Sequence, residues 1–145
     1  MIAKLIRGLA GLIAATLAAY FAGSIANTQF IIGAHHVPVG MGDRLNMTAF
    51  DLSNMYLYMA MILIGFTIAF TIAALLKRAL PLLARFAYPA AGAAALAVML
   101  GAMYIQFQTV PISGARSTLG FLAQVIAGGV GGWVFAKIAG AQRAA

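Results

Sequence analysis

Seven polar or basic side chains near the ends of apolar segments are the main candidates for binding chemistry. They are Gln29, His35, His36, Arg44, Gln106, Arg116 and Gln124. A pair of guanidinium groups above an apolar bundle suits a carboxylate, a phosphate or a lipid head group, because arginine presents a planar fork of donors. The alternative is that Arg44 pairs with Asp43 or Asp51 while Arg116 extends to water. We favour this alternative.

The histidine pair suggests a metal site, but the rest of the chain does not support one. Asp43 and Asp51 are the only acids that could complete the ligand set, and there is no cysteine. Neighbouring side chains in an extended segment point in opposite directions, so both histidines cannot easily bind one ion. We predict neither a metal nor a cofactor. We expect the apolar run 30–37 around the pair to lie in the head-group layer as an interfacial or re-entrant piece.

The sequence contains no clear arrangement of catalytic residues. Ser53, Ser113 and Ser117 are possible nucleophiles, yet the two histidines are the only ordinary bases near them, and no spacing indicates a triad. The glycine run 128–132 lies inside an apolar segment, where helix packing explains it better than nucleotide binding. We therefore predict a protein without enzymatic activity.

The composition is that of a membrane protein. Hydrophobic residues make up 64% of the chain and charged residues 8%, with a mean hydropathy of +1.01. A soluble domain carries about 25% charged residues. The basic residues are dispersed over several segment ends and form no single patch, so we predict no nucleic-acid partner.

Four apolar stretches are each long enough to cross a bilayer, which requires about 20 residues. They cover residues 2–26, 52–76, 86–107 and 118–138, with a long connection over 27–51. The first also resembles a secretory signal, because Lys4 and Arg7 precede an apolar run that ends in small residues; we interpret it as a span. Uninterrupted apolar runs of this length exclude the alternation of a barrel strand. The chain is predicted to be a single all-α integral membrane domain, a four-transmembrane-helix bundle over residues 1–145.

Charge is segregated between the two sets of segment ends. One set carries seven basic residues and no acid: Lys4, Arg7, Lys77, Arg78, Arg85, Lys137 and Arg143. The connections at the other ends carry Asp43, Arg44, Asp51 and Arg116, whose charges cancel. Basic residues flanking transmembrane helices are retained in the cytoplasm. This pattern predicts a multi-pass protein of the inner membrane, with both termini cytoplasmic.

Small residues recur at every fourth position of each span, and residues four apart share a helix face. The predicted helix-packing residues are Gly11, Ala15, Gly23, Gly65, Gly101, Gly128 and Gly132. Because lipid provides no hydrophobic drive for association, close backbone approach must provide the packing. We favour packing within one bundle. In the alternative, the row of Gly128 and Gly132 contacts another subunit, since Ala127 and Gly131 give the same helix a second small face.

The two outer connections share a short order of residues. The first contains Gln29-Phe30, Val37-Pro38-Val39, Gly42 and Arg44, and the second contains Gln106-Phe107, Val110-Pro111-Ile112, Gly114 and Arg116. Two hairpins of the same orientation would be parallel repeats related by an axis along the membrane normal. Chance resemblance is the competing explanation, because few residues match.

These observations favour a non-catalytic accessory or packing subunit of a membrane complex or homo-oligomer. Its partners would be membrane lipid and other membrane subunits or further copies of itself. The alternative is a small transporter, or a protein that binds lipid or another hydrophobic ligand, with an outward-facing site between the two hairpins. No charged residue lies in the middle of a span, which disfavours a proton-coupled pump.

Overall fold

The computed structural model describes residues 2–36 and 38–140. Within them lie five α-helices and two short 3₁₀ turns, and no strand. The helices are α1 (Ile2–His35), α2 (Met41–Asn54), α3 (Tyr56–Ala79), α4 (Ala87–Phe107) and α5 (Thr118–Gly140). Four of them, α1, α3, α4 and α5, are long and apolar enough to cross a membrane. The predicted all-α four-span bundle is confirmed. Val37 and Arg143, which entered the sequence argument, lie outside the described residues.

The first helix departs from its predicted boundaries. It continues nine residues beyond the predicted end at residue 26, and the expected outer loop over 27–51 is largely helical. The run before the histidines is therefore the last part of α1 and not a separate interfacial piece. No proline interrupts it before Pro38, and His36 ends it with a left-handed backbone (φ 50°). At about 1.5 Å per residue, 34 residues extend roughly 51 Å, well beyond a hydrocarbon core of about 30 Å.

The second helix returns along the C-terminal part of α1. Its hydrogen bonds reach lower positions on α1 as its own residue numbers rise: Arg44 bonds Gln29, and Leu52 accepts from Tyr20. The two helices therefore run antiparallel. Met55 interrupts the helix (φ −87°, ψ 30°), and α3 then continues into the bundle.

The four spans pack in a closed order, in which α5 lies between α1 and α4, and α3 contacts both α4 and α1. A Cβ placed on Gly11 would lie 3.3 Å from the Phe135 ring, so the start of α1 meets the end of α5. The Lys77 ammonium lies 4.4 Å from the centre of the Tyr88 ring, which joins the end of α3 to the start of α4. These contacts bring Lys4, Arg7, Lys77, Arg78, Arg85 and Lys137 to one end of the bundle, named here the basic side.

The glycines of α5 pack inside this one chain. A Cβ on Gly128 would overlap the carbonyl oxygen of Gly92, and one on Gly132 would overlap that of Tyr88. A Cβ on Gly131, on the adjacent face, would lie 2.8 Å from the carbonyl oxygen of Ala15. The extra small surface of α5 thus serves a second internal neighbour. The Gly128 and Gly132 row lies against α4 and is not available to another subunit.

The other predicted packing residues divide into two groups. Ala15 is fully buried, and Gly11 and Gly23 lie in close contact with α5 side chains. By contrast, the nearest atom to a Cβ on Gly65 is 3.9 Å away, and a Cβ on Gly101 would meet nothing within 4 Å. The expectation of tight packing at Gly101 is not met, because the α4 row that faces α5 is the neighbouring one. That row contains Tyr88, Gly92 and Leu96.

Candidate functional site

A polar network joins the helices on the side opposite the basic side. Asn27 Nδ2 donates to Asp51 Oδ2 (2.8 Å), and the Thr28 hydroxyl donates to the same oxygen (2.6 Å). Asn27 Oδ1 accepts from the backbone N–H of Gly114 (2.7 Å). These four residues, named here the Asn27 cluster, tie α1 to α2 and to the connection between α4 and α5. Asn27 is 4% exposed, so nearly all of its polar surface is used internally.

Gln124 is fully buried and bonded on both sides of its amide. Tyr58 Oη donates to Gln124 Oε1 (2.6 Å), and Gln124 Nε2 donates to the carbonyl oxygen of Gly23 (2.9 Å). Three helices, α1, α3 and α5, meet at this one side chain. The sequence predicted Gln124 as a ligand contact. Its bonds show a residue that holds helices together.

The remaining predicted ligand residues lie in separate settings. Arg44 Nη1 donates to Gln29 Oε1 (2.6 Å), and its Nε reaches the Val39 carbonyl oxygen (3.4 Å). The expected pairing of Arg44 with Asp43 or Asp51 is not formed: Arg44 bonds Gln29, and the Asp51 carboxylate bonds Asn27 and Thr28. Arg116 is exposed, and its Nε donates to the carbonyl oxygen of Val110 (3.0 Å).

His35, His36 and Gln106 are exposed at the ends of their helices. Within residues 2–36 and 38–140, no group of three or more histidine, cysteine, aspartate or glutamate side chains is arranged to hold a metal ion. Only Gln29 and Arg44, among the seven predicted ligand residues, bond each other. The bonds therefore describe a stabilising network more than a shared binding pocket.

An apolar groove lies between α3 and α4 and opens to the outside of the bundle. This α3/α4 groove has a volume of about 770 Å³ and is apolar along nearly its whole length. On α3 it is lined by Gly65, Ala69 and Ala73 together with larger apolar residues, and on α4 mainly by alanines from Ala87 to Ala95. The groove exists because alanine side chains are too short to fill the space between the two helices. The sequence pattern identified the α3 row, but not that it borders a groove.

The α3/α4 groove extends along the helix axes over a distance greater than the thickness of one leaflet. Its lining on α3 extends from Met61 to Lys77, which is about 24 Å at 1.5 Å per residue. One leaflet of a hydrocarbon core is about 15 Å thick. Lys77 and Phe86 mark its end on the basic side.

A second, shorter groove of about 420 Å³ lies between α4 and α5. Its α5 lining extends from Val125 to Trp133, about 12 Å at 1.5 Å per residue, and Pro89 and Ala93 line it from α4. Trp133 marks the basic end of this α4/α5 groove. The Lys137 ammonium lies 5.4 Å from the centre of the Trp133 ring.

Comparison of the chain with protein-family models, with curated proteins and with solved structures finds no significant match.

Proposed function

We propose that this protein is a non-catalytic packing subunit that assembles within a membrane by receiving a transmembrane helix in its α3/α4 groove. The observation that carries the proposal is the length of the groove along the helix axes, with small residues in its lining on both helices. At about 24 Å it is longer than a single lipid chain region of about 15 Å. A helix that crosses the bilayer fills such a groove from end to end.

Packing energy supports a helix as the occupant. In lipid, helices associate through van der Waals contact along surfaces where small residues allow close approach. Gly65, Ala69 and Ala73 on one wall, with the alanines of the other, offer such a surface on both sides of the incoming helix.

The occupant that we propose is α1 of a second copy of this chain. The outward face of α1 carries a ridge of large apolar residues at every fourth position, each between 41% and 64% exposed. The ridge contains Leu5, Leu9, Ile13, Leu17, Phe21 and Ile25. Rows of residues four apart form the ridges that enter grooves between side chains on neighbouring helices. A ridge on one surface and a groove on another give a head-to-tail contact between copies.

The proposed setting is the inner membrane, with the basic side in the cytoplasm, because basic flanks are retained there. A transport function has less support. Gln124, Gln29 and Arg44, which would form its site, are bonded within the chain.

Disulfide crosslinking in native membranes tests the assembly. The chain contains no cysteine, so introduced thiols are the only ones present. We expect Ala94→Cys in the groove and Leu17→Cys on the ridge, expressed in separate copies, to form a crosslinked dimer on mild oxidation. Val130→Cys is the matched control for Ala94→Cys, because it lies at a similar depth on α5, outside the α3/α4 groove.

The outcomes separate the two occupants. A dimer formed by Leu17→Cys with Ala94→Cys but not with Val130→Cys supports self-assembly. A crosslink from Ala94→Cys to a different protein means that the groove receives a partner's helix, as in an accessory subunit. A monomer in native membranes, with no crosslink at Ala94→Cys to any chain, contradicts the proposed function.

A further inference from the structure

The α4/α5 groove is shorter along the helix axes than the α3/α4 groove, and each ends near a lysine on the basic side. Its lining on α5 spans about 12 Å, close to the thickness of one leaflet of about 15 Å. It therefore matches a single acyl chain better than a helix that crosses the membrane. Trp133, 55% exposed, lies at its basic end, where tryptophan commonly occupies the level of the lipid head groups.

The floor of the groove is formed where Gly129 of α5 lies against α4. A Cβ placed on Gly129 would lie 3.8 Å from the Ala93 Cβ and 3.8 Å from the Pro89 carbonyl oxygen, which is ordinary van der Waals contact. The two helices thus meet without a side chain to fill the space between them. The exposed residues Ile126 and Val130 form the outer wall. A flexible acyl chain can lie along this surface and make contacts over its whole length.

A positive charge stands where the head group of such a lipid would lie. Lys137 is one helical turn beyond Trp133 and is exposed, with its ammonium held 5.4 Å from the indole ring. Both acids of the sequence, Asp43 and Asp51, belong to α2 at the opposite end of the bundle. In the part of the chain that the structure describes, no acidic side chain therefore lies on the basic side near this ammonium. A phosphate group at this level would complement it.

We propose that the α4/α5 groove binds an anionic phospholipid from the leaflet on the basic side. One acyl chain lies along Ala93 and Gly129, and the phosphate is bound by Lys137 beside Trp133. The groove length selects a lipid tail, and the ammonium selects a net negative head group over a zwitterionic one.

Lipid titration monitored by native mass spectrometry tests this assignment, with phosphatidylglycerol and phosphatidylcholine of identical chains added to the detergent-solubilised protein. We expect the wild-type chain to bind phosphatidylglycerol more tightly. Lys137→Gln should weaken that binding about five-fold, the effect of one basic residue at an anionic surface, and should remove the preference. Gly129→Leu should weaken binding of both lipids, because its side chain fills the groove while its Cβ stays at an ordinary van der Waals distance from α4.

Two matched variants distinguish this site from general attraction to the basic side. Lys4→Gln removes the same charge from α1, and Gly8→Leu adds the same side chain at a glycine whose Cβ would meet nothing within 4 Å. Both should bind phosphatidylglycerol as the wild type does. Inorganic phosphate should not compete with the lipid, because it lacks the tail.

Three results would overturn the proposal: equal affinity for the two lipids in the wild type, equal weakening by Lys4→Gln and Lys137→Gln, or unchanged binding in Gly129→Leu. Circular dichroism and gel filtration of each variant confirm that the fold is retained. If Gly129→Leu does not fold, Gly129→Val replaces it, with Gly8→Val as its control.

Discussion

Gly92 of α4 and Gly128 of α5 face each other so closely that a Cβ on either residue would overlap the carbonyl oxygen of the other. No other residue type fits at either position without moving the two backbones apart. The contact lies within a single chain. This contact therefore sets the distance between α4 and α5. It also fixes the position of α4, which borders both grooves.

Substitution at this contact should destabilise the bundle. We expect Gly92→Ala or Gly128→Ala to lower the free energy of unfolding by about 1–3 kcal/mol, the usual cost of forcing extra atoms into a packed interface. Unfolding in mixed micelles with increasing denaturing detergent measures this. Gly101→Ala is the matched control on α4, since its Cβ meets open space. Because alanine has a higher helix propensity than glycine, Gly101→Ala should not lower stability, and an equal loss there would contradict the role of the Gly92–Gly128 contact.

The bond between Tyr58 and Gln124 should contribute modestly to stability. Tyr58→Phe removes the donor and leaves Gln124 Oε1 buried without this partner. Because hydrogen bonds between membrane helices contribute about 0.6 kcal/mol on average, we expect a loss of roughly 0.5–2 kcal/mol. A double-mutant cycle with Gln124→Leu isolates the pair. If the two single effects add without a coupling term, the bond contributes nothing to the fold.

The Asn27 cluster should hold α2 against α1. We expect Asp51→Ala to release α2, because Asn27 and Thr28 lose their shared acceptor. Hydrogen exchange should then rise over residues 41–54 and stay unchanged in α4 and α5. Asp43→Ala removes the same carboxylate from an exposed position and serves as the control. Protection of α2 that is equal in the two variants would contradict this role for Asp51.

Filling the α3/α4 groove should prevent the proposed assembly without unfolding the chain. For this test the groove cysteine is moved from position 94 to Ala91 or Ala95 on the same wall and is paired with Leu17→Cys. We expect Ala94→Leu to lower the yield of this crosslinked dimer at least several-fold. The thermal stability of the monomer should change little, because the new side chain enters open space. Gly101→Leu adds a larger side chain elsewhere on α4 and should leave the dimer intact. A dimer that survives Ala94→Leu would place the contact on another surface.

The sequence predicted the number of spans, the helical class and the clustering of basic residues at one end. The first two depend on local composition, and the third follows because successive spans run in opposite directions. The boundary of α1 was harder to predict. The polar residues 27–29 ended the predicted span at residue 26, yet the chain remains helical there because Asn27 and Thr28 find partners on α2 and in the second connection. Those partners are distant in sequence.

The candidate sites depended still more on the tertiary structure. A paired site of Arg44 and Arg116 was the less favoured of two interpretations of the sequence, and the structure gives each arginine a separate hydrogen-bond acceptor. A repeat of small residues shows that a neighbouring helix can approach that face closely, but it does not show which element lies opposite. The row containing Gly128 meets α4 and is closed, whereas the row containing Gly65 borders open space. Spacing along one helix determines which residues share a face, and only the packing of four helices determines whether that face is filled.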